Sequence, residues 1–313
     1  MSLHLQRRTR AVDALAAAGI DMLVAGRQDH INYITGAHQL WTAGARPFGP
    51  VCTLNVATGE IFLLSTWDEG VPEDIDLDHL HGITWNGAII YQRLAANPGM
   101  AKAKTVGVDA WSPGMAGLLG AVAPNAEIVP ADDILLRARR TKLPSEVDAI
   151  RAACAVAAEA AEAALAYSGT DAQRLAAGVE AMALAGSSTP AAEPRVHGPI
   201  VDFSCIRFHY EGGLGRTAGG GPPEARPHAA LIAACVPGAT GQDLRQAAPD
   251  ADWLIRGSGM GFEPPVINAH YGKSEVLEEH MVLSVSASTG EEYARDTVLV
   301  TESTPEILSS EEP

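Results

Sequence analysis

The stretch of this chain with the most unusual local chemistry covers residues 256–265 and reads Arg-Gly-Ser-Gly-Met-Gly-Phe-Glu-Pro-Pro. Its three alternating glycines let the backbone lie close to whatever it contacts, because glycine has no Cβ atom. The Glu-Pro-Pro that follows favours an extended or turn conformation. Most such glycine runs are turns, so the run alone is weak evidence for a site. Within it, Glu263 is a candidate general acid or base, with capping of a turn as the alternative.

A second group of chemically active residues precedes this stretch. His197 lies in Val-His-Gly, shortly before a strand predicted over 200–208. A neutral imidazole near pH 7 accepts a proton from water or substrate, so His197 is a candidate general base. A loop histidine that bonds only to backbone is the alternative. His209 and Tyr210 lie on the strand that leads to Gly213, and strand alternation turns one of them towards a cavity and the other away.

Composition limits the partners of this protein. The 313 residues carry a net charge of −16, which repels nucleic acid and anionic membrane surfaces. No apolar run has the length of a membrane span, and the N-terminus lacks the pattern of a signal peptide. The four scattered cysteines are typical of a reducing compartment. We therefore predict a cytoplasmic protein with neither a nucleic acid nor a membrane as its partner.

The elements that must position these residues fall into two parts. Strand-like and helical segments alternate over 1–138, which predicts a compact α/β domain. A basic segment, Arg-Arg-Thr-Lys-Leu-Pro over 139–144, marks the boundary. Pro144 suits the first turn of a long Ala-rich helix over 144–167, and Thr-Asp-Ala-Gln over 170–173 is a capping box for a second helix. Short strands dominate from Ile200 onwards, so we predict a second domain over 139–313.

The order of several short motifs in the second part resembles one family. The motifs in chain order are Lys-Leu-Pro-Ser-Glu-Val over 142–147, Gly-Arg-Thr over 215–217, the glycine run, Glu-Pro-Pro, Met-Val-Leu-Ser-Val over 281–285 and Asp-Thr-Val-Leu-Val-Thr over 296–301. This succession is similar to that of the creatinase, prolidase and aminopeptidase P superfamily. The resemblance implies an α/β N-terminal creatinase-like domain, a shortened α+β pita-bread C-terminal domain, and a homodimer.

The resemblance also implies where a metal centre would lie. Metallopeptidases of this family hold two metal ions with two Asp, one His and two Glu. The matching positions here, in chain order, are Asp202 by ungapped spacing, Gly213, Ser258, Ser286 and Arg295. Two divalent cations need several anionic oxygens, whereas Arg295 brings a permanent positive charge. We therefore predict neither a metal nor another cofactor.

Metal-free relatives suggest what such a site could do. Creatinase-like enzymes use a histidine base and an arginine from the neighbouring subunit, and Arg46, in Ala-Arg-Pro-Phe-Gly, resembles that arginine. The leading hypothesis is a metal-independent enzyme that hydrolyses a C–N-type bond of a small carboxylate-bearing substrate. His197 would be the base, Arg46 and Arg295 the anion anchors. The further residues predicted to contact substrate are Ser258, Ser286, His209 and Tyr210.

Three alternatives stay open at this stage. The protein could be an inactive pita-bread domain that serves as a binding or interaction module. It could retain an Xaa-Pro-type peptidase activity. It could also bind a single metal ion through Asp202, His197 and others. The segment between Arg216 and Gly257 has room for one short helix, where intact members of the family have longer ones. This shortening favours altered or lost chemistry over an unchanged peptidase.

Overall fold

The computed structural model describes residues 1–37, 52–64, 69–82, 84, 86–110, 113–261 and 263–310. The chain divides into two compact units, Met1–Ala138 and Arg139–Pro313. The first is an α/β unit, and the second is an α+β unit built on an antiparallel sheet. The predicted fold class is therefore confirmed.

The first unit has a six-stranded sheet with the order β4-β3-β2-β1-β5-β6. Its strands are β1 (Met22–Ala25), β2 (Cys52–Asn55), β3 (Ile61–Leu64), β4 (Leu80–His81), β5 (Thr105–Val108) and β6 (Glu127–Pro130). Its helices are α1 (Leu3–Ala17), α2 (Gln28–Thr35), α3 (Gly87–Ala96), α4 (Pro113–Val122) and α5 (Asp132–Arg140). Strand β1 pairs antiparallel with β2 and parallel with β5, so the sheet is mixed.

Apolar alternation explains how this first sheet is covered. Met22 and Val24 lie on the face of β1 that packs against Leu94 of α3 and Leu119 of α4. A hairpin around residues 57–59 joins β2 to β3. Helix α2 is followed by Gly36 in the left-handed conformation with φ 71°, which glycine adopts readily.

The second unit has an eight-stranded sheet with the path β11-β10-β12-β13-β9-β8-β7, and β14 also pairs with β13. Its strands are β7 (Arg195–His197), β8 (Ile200–Arg207), β9 (Tyr210–Thr217), β10 (Asp252–Gly257), β11 (Glu263–Asn268), β12 (Val282–Thr289), β13 (Glu292–Leu299) and β14 (Glu306–Ile307). Its helices are α6 (Pro144–Ala166), α7 (Asp171–Leu184), α8 (Ala229–Ala233) and α9 (Gly241–Ala247). All pairs in this sheet are antiparallel.

Two hydrophobic cores cover one side of this sheet. The first joins α6 and α7 to β8 and β9, and the second joins α8 and α9 to β10, β12 and β13. A Cβ atom at Gly212 would clash with the backbone of Cys154, so β9 can approach α6 this closely only because residue 212 is glycine. The cores fix the strands, and the opposite side of the sheet presents the residues described below.

Two elements of this unit differ from the sequence-based prediction. The sequence predicts short strands from Ile200 onwards, but residues 195–197 already form the short edge strand β7. Helix α8 was not predicted, because five residues are too few to show helical periodicity. The capping box at the start of α7 is confirmed by the Gln173 N–H, which donates to Thr170 Oγ1 at 3.3 Å. None of the helices in the described ranges combines the length and apolar character needed to cross a bilayer.

Candidate functional site

A cavity of about 200 Å³ lies in the second unit, on the side of the sheet opposite the two cores. It brings together side chains from β7, β8, β10, β12 and β13. Its polar lining residues are Glu193, Arg195, Asp202, Ser204, Arg256, Ser284, Ser286, Tyr293 and Arg295. Three of these residues are arginines, Arg195, Arg256 and Arg295, within a small space.

The centre of this cavity is an ion pair between Asp202 of β8 and Arg295 of β13. Both residues pair with Gly215 on β9, the strand between them. A Cβ atom at Gly215 would lie 3.2 Å from Cβ of Arg295 and 3.3 Å from Cγ of Asp202, so glycine leaves the room in which the two side chains meet. Arg295 Nε donates to Asp202 Oδ1 at 3.0 Å, and Nη2 also contacts that oxygen.

The second oxygen of Asp202 is occupied as well. Oδ2 accepts a hydrogen bond from Arg195 Nη2 at 2.6 Å and another from the Tyr293 hydroxyl at 2.6 Å. Arg295 Nη2 additionally donates to the carbonyl oxygen of Phe203 at 2.8 Å. Asp202 is thus a saturated acceptor held by two arginines and a tyrosine.

These contacts set the protonation states. Burial opposes ionisation of Asp202, but the Arg295 guanidinium and the hydrogen bonds from Tyr293, Arg295 and Arg195 outweigh it and hold the pKa of this carboxyl below its ordinary value. Burial, the Asp202 carboxylate and the hydrogen bond to it raise the pKa of Tyr293 well above its usual range. At neutral pH, Asp202 is therefore a carboxylate and Tyr293 a neutral phenol.

The residues at the expected metal-ligand positions do not fit a two-metal centre. A Cβ atom at Gly213 would clash with the Arg295 guanidinium, so that cation fills the space a carboxylate at position 213 would need. Asp202 is the one carboxylate at these five positions. In the described chain, three His, Cys, Asp or Glu donors come close enough for one ion only at Asp76, Asp78 and His79 in the first unit. Two divalent cations need more anionic oxygens than the cavity offers.

The two predicted serines have different surroundings. Ser286 lines the cavity, pairs with Arg295 across β12 and β13, and donates to the carbonyl oxygen of Leu254 at 3.2 Å. Ser258 is buried and donates to the carbonyl oxygen of Glu211 at 3.3 Å, away from the cavity lining. The structure thus brings Asp202, Ser286 and Arg295 together with the backbone of Gly213, and leaves Ser258 behind them.

His197 lies outside this cavity. Its side chain is 95% exposed at the end of the edge strand β7, and its Nδ1 is 3.8 Å from Asp171 Oδ2. A general base must lie within hydrogen-bond reach of the proton it removes. Its role as a general base stays a prediction, and the geometry of the cavity does not support it.

The other predicted residues have structural contacts. Tyr210 is buried, and its hydroxyl donates to Glu146 Oε1 at 2.5 Å on α6, whereas His209 lies in the β8–β9 turn with φ 71°. Neither lines the cavity. Alternation does turn Tyr210 inwards, but towards the helical core and not towards a ligand. Arg46 lies outside the described residues, so its role stays a prediction.

Glu263 is engaged in a buried cluster of charges. Oε1 accepts from Arg139 Nη2 at 2.6 Å and from the Met260 N–H at 2.9 Å, and Oε2 accepts from Lys142 Nζ at 2.6 Å. Burial opposes its ionisation, but Lys142 and Arg139 hold its pKa below the ordinary value. We therefore revise the assignment of Glu263 from acid or base to a structural residue that joins residues 139–142 to β11.

Six polar cavity residues were missed by sequence reasoning, namely Glu193, Arg195, Ser204, Arg256, Ser284 and Tyr293. Tyr293 lies two positions before Arg295 on one strand, so alternation could have placed both on the same face. Arg195 pairs with Asp202 in the β7–β8 register, a contact that is visible only once β7 is known to be a strand. Arg256 lies in the glycine-rich stretch, where it binds Glu211 through both Nη atoms, at 2.8 Å from Nη1 to Oε2.

A second charged cluster lies around Asp296 of β13, on the side of that strand opposite Arg295. Asp296 Oδ1 accepts from Arg216 Nη2 and Ser309 Oγ, both at 2.6 Å, and Oδ2 accepts from His228 Nε2 at 2.7 Å. Burial opposes ionisation, but His228 and Arg216 lower the pKa of Asp296 to about 2. A larger cleft of about 830 Å³ lies beside this cluster, and two of its polar residues, Arg216 and Ser309, are bound to Asp296.

The structure and the sequence can be compared with known proteins on this basis. The Creatinase/Prolidase N-terminal domain model matches residues 7–141. A comparison with curated proteins found no significant match. The prolidase from Pyrococcus horikoshii OT3 is similar in fold, with a TM-score of 0.75 at 17% identity over 98% of this chain and 99% of that one.

Two further solved structures share this fold. The Xaa-Pro dipeptidase from Bacillus anthracis gives a TM-score of 0.76 at 15% identity, covering 99% of this chain and 98% of that one. The X-Pro aminopeptidase from Thermotoga maritima MSB8 gives 0.76 at 16% identity, covering 97% of this chain and 98% of that one. The Creatinase/Prolidase N-terminal domain is thus matched over residues 7–141, and the whole chain shares its two-domain fold with these prolidase and aminopeptidase structures.

Proposed function

We propose that the C-terminal domain binds a small carboxylate-bearing molecule, without a metal ion, in the cavity around Asp202 and Arg295. The observation that carries this proposal is the arginine-centred ion pair at the positions where the family resemblance implies metal ligands. This cavity presents guanidinium groups. These are the protein groups that best match a carboxylate, because they can donate two parallel hydrogen bonds.

Arg195 is the arginine best able to hold such a ligand. Its side chain is 64% exposed, and its guanidinium lies over the Tyr293 ring, 5.5 Å from the centroid. A guanidinium has five N–H donors. Within the described residues, Arg195 donates only through Nη2, so the N–H groups of Nε and Nη1 are available to a ligand. Arg295 is 8% exposed and is largely committed to Asp202.

The size of the cavity limits the ligand. Its volume is about 200 Å³, and one water molecule in the liquid takes up about 30 Å³. The cavity opens to solvent, and the space inside it holds about seven non-hydrogen atoms. An Xaa-Pro dipeptide has about twice that number, so this space favours a single small acid over the residual peptidase alternative.

The cavity gives little support to hydrolysis by the predicted base. A general base must reach the reacting proton and must accept it. Asp202 already accepts four hydrogen bonds, Tyr293 is a neutral phenol, and His197 lies outside the cavity. The contacts thus favour a binding domain over a metal-independent hydrolase with His197 as its base. Hydrolysis would need Glu193, which also lines the cavity, or a base from a second subunit of the proposed homodimer.

Calorimetric titration with isobutyrate, in the presence of EDTA, tests this function. Isobutyramide is the matched control, because it has the same shape without the charge. We expect isobutyrate to bind and isobutyramide to bind at least about tenfold more weakly, since a hydrogen bond to a charged group contributes more than a neutral one. Arg195→Gln should weaken isobutyrate about tenfold.

A second arginine serves as the control for that variant. Arg151 on α6 is 44% exposed, forms surface ion pairs with Asp148 and Glu306, and lies outside the cavity. Arg151→Gln should bind isobutyrate like the unaltered protein. Equal affinity for the acid and the amide, or no binding of isobutyrate at all, would show that the cavity is not a carboxylate site.

A further inference from the structure

Two of the three arginines in the cavity have a dedicated buried partner. Arg295 is paired with Asp202, and Arg256 is paired with Glu211, whose side chain is 8% exposed. Removing either buried carboxylate would leave an uncompensated charge, so these pairs stay together. Arg195 is the third arginine, and its contact with Asp202 is solvent-exposed and shares an oxygen with Tyr293. It is the cavity cation that a ligand can recruit at least cost.

One carboxylate at the cavity is also uncommitted. Glu193 lines the cavity and is exposed, and within the described residues no cation or hydrogen-bond donor contacts its side chain. Pro194 follows it and restricts its backbone to extended conformations. Glu193 and Arg195 are two positions apart on an extended segment, so their side chains point to the same side, and both line the cavity.

The charges around the cavity sum to zero. Arg195, Arg256 and Arg295 balance Glu193, Asp202 and Glu211. The net charge of the cavity therefore adds no long-range attraction to the hydrogen bonds that Arg195 can donate to an anion, but the cavity presents one available cation and one available anion side by side. A neutral ligand with separated charges of both signs matches this arrangement better than a carboxylate alone.

We infer that the ligand is a small zwitterionic amino acid, with its carboxylate on Arg195 and its ammonium group on Glu193. This inference rests on the proposed carboxylate-binding function and names its ligand class. The space inside the cavity holds about seven non-hydrogen atoms, which matches a short α-, β- or γ-amino acid. Each charge of the ligand then meets an opposite charge of the protein.

Titration with L-alanine and isobutyrate tests the inference, because isobutyrate replaces the ammonium group of alanine with a methyl group of similar size. The unaltered protein should bind alanine about tenfold more tightly than isobutyrate. Glu193→Gln should remove that preference by weakening alanine about tenfold while leaving isobutyrate unchanged or slightly tighter. Arg195→Gln should weaken both ligands. Glu180→Gln, an exposed position on α7 outside the cavity, should change neither affinity.

The possible results separate the two proposals. If isobutyrate binds as tightly as alanine, or if Glu193→Gln weakens both alike, the zwitterion inference is overturned while carboxylate binding stands. If neither compound binds the unaltered protein, the carboxylate function fails and the inference fails with it. A preference for alanine that persists in Glu193→Gln would assign the ammonium group to another residue and overturn the role of Glu193.

Discussion

Two charged clusters lie on opposite sides of the sheet in the second unit. Each contains one of two adjacent residues of β13, Arg295 and Asp296. On one side, Asp296 is fully buried and accepts from Arg216, His228 and Ser309. On the other side, Arg295 binds Asp202, and this network continues outwards to an exposed arginine. Both clusters use a carboxylate and a guanidinium in contact, yet only one of them ends at an open cavity.

The two clusters differ in how many hydrogen-bond donors remain available to a ligand. In the Asp296 cluster, every group that reaches the carboxylate is at most slightly exposed, so the ion pair stabilises the fold and offers little to a ligand. In the Arg295 cluster, Asp202 is saturated but Arg195 keeps N–H donors towards solvent. The comparison shows that an ion pair alone does not identify a binding site. A binding site also needs N–H donors beside a cavity that are not already bonded within the protein.

The largest expected effect on stability comes from breaking the buried Asp296 cluster. Asp296→Ala should lower the free energy of unfolding by about 3–5 kcal/mol, because Arg216 and His228 would lose their buried acceptor. Urea-induced unfolding measures this loss. Glu302→Ala, an exposed carboxylate, should change stability by no more than about 0.5 kcal/mol. A loss below about 1 kcal/mol for Asp296→Ala would contradict the structural role of that cluster.

The Asp296 cluster should also make the stability of the protein depend on pH in the acid range. The pKa of Asp296 is lowered to about 2 in the folded chain, so its contribution to stability is present above the pKa of the unfolded chain and is lost as pH falls through the folded value. Between about pH 5 and about pH 2, the unaltered protein should lose about 2 kcal/mol more stability than Asp296→Asn. Parallel pH profiles of the two proteins would contradict the assignment.

A smaller effect on the free energy of unfolding is expected from disturbing the packing of the Arg295 cluster. Gly213→Ala should cost about 1–3 kcal/mol, because the added Cβ would clash with a guanidinium that Asp202 holds in place. In an Arg295→Ala background, the same change should cost less than about 1 kcal/mol. A double-mutant cycle of unfolding free energies measures the coupling. Equal costs in both backgrounds would mean that Arg295 does not occupy the space beside Gly213.

The smallest stability effect is expected at the ligand-facing arginine. Arg195→Gln should change the free energy of unfolding by no more than about 0.5–1 kcal/mol, because an exposed ion pair contributes little. The same variant should bind isobutyrate about tenfold more weakly. This separation of stability from binding is the reverse of what we expect for Asp296→Ala. A large stability loss in Arg195→Gln would place Arg195 among the structural residues.

The sequence predicted the fold class through the order of its motifs. Helical periodicity and capping signals predicted α6 and α7, and the change of pattern after Ile200 predicted a domain of short strands. Three motif positions, Asp202, Ser286 and Arg295, line one cavity because neighbouring strands hold their residues in a fixed register. The binding roles assigned to Ser286 and Arg295 stay predictions.

What the sequence did not reveal depends on contacts between distant segments. Glu263 meets Arg139 and Lys142 across more than a hundred residues, and no local pattern signals that cluster. The exposure of His197 follows from its position on an edge strand only three residues long, within a segment rich in proline and glycine. Arg195 was missed for the same reason, because a connector gives no register from which to infer its contact with Asp202.

The most direct test of the metal-free carboxylate site is an isobutyrate titration of chelator-treated protein, repeated after dialysis against Mn²⁺ with the metal content of each sample measured. We predict the same affinity in both samples and no stoichiometric metal in either. Binding that appears only after Mn²⁺ is added, together with two ions bound per chain, would contradict the account and restore a metal-dependent site.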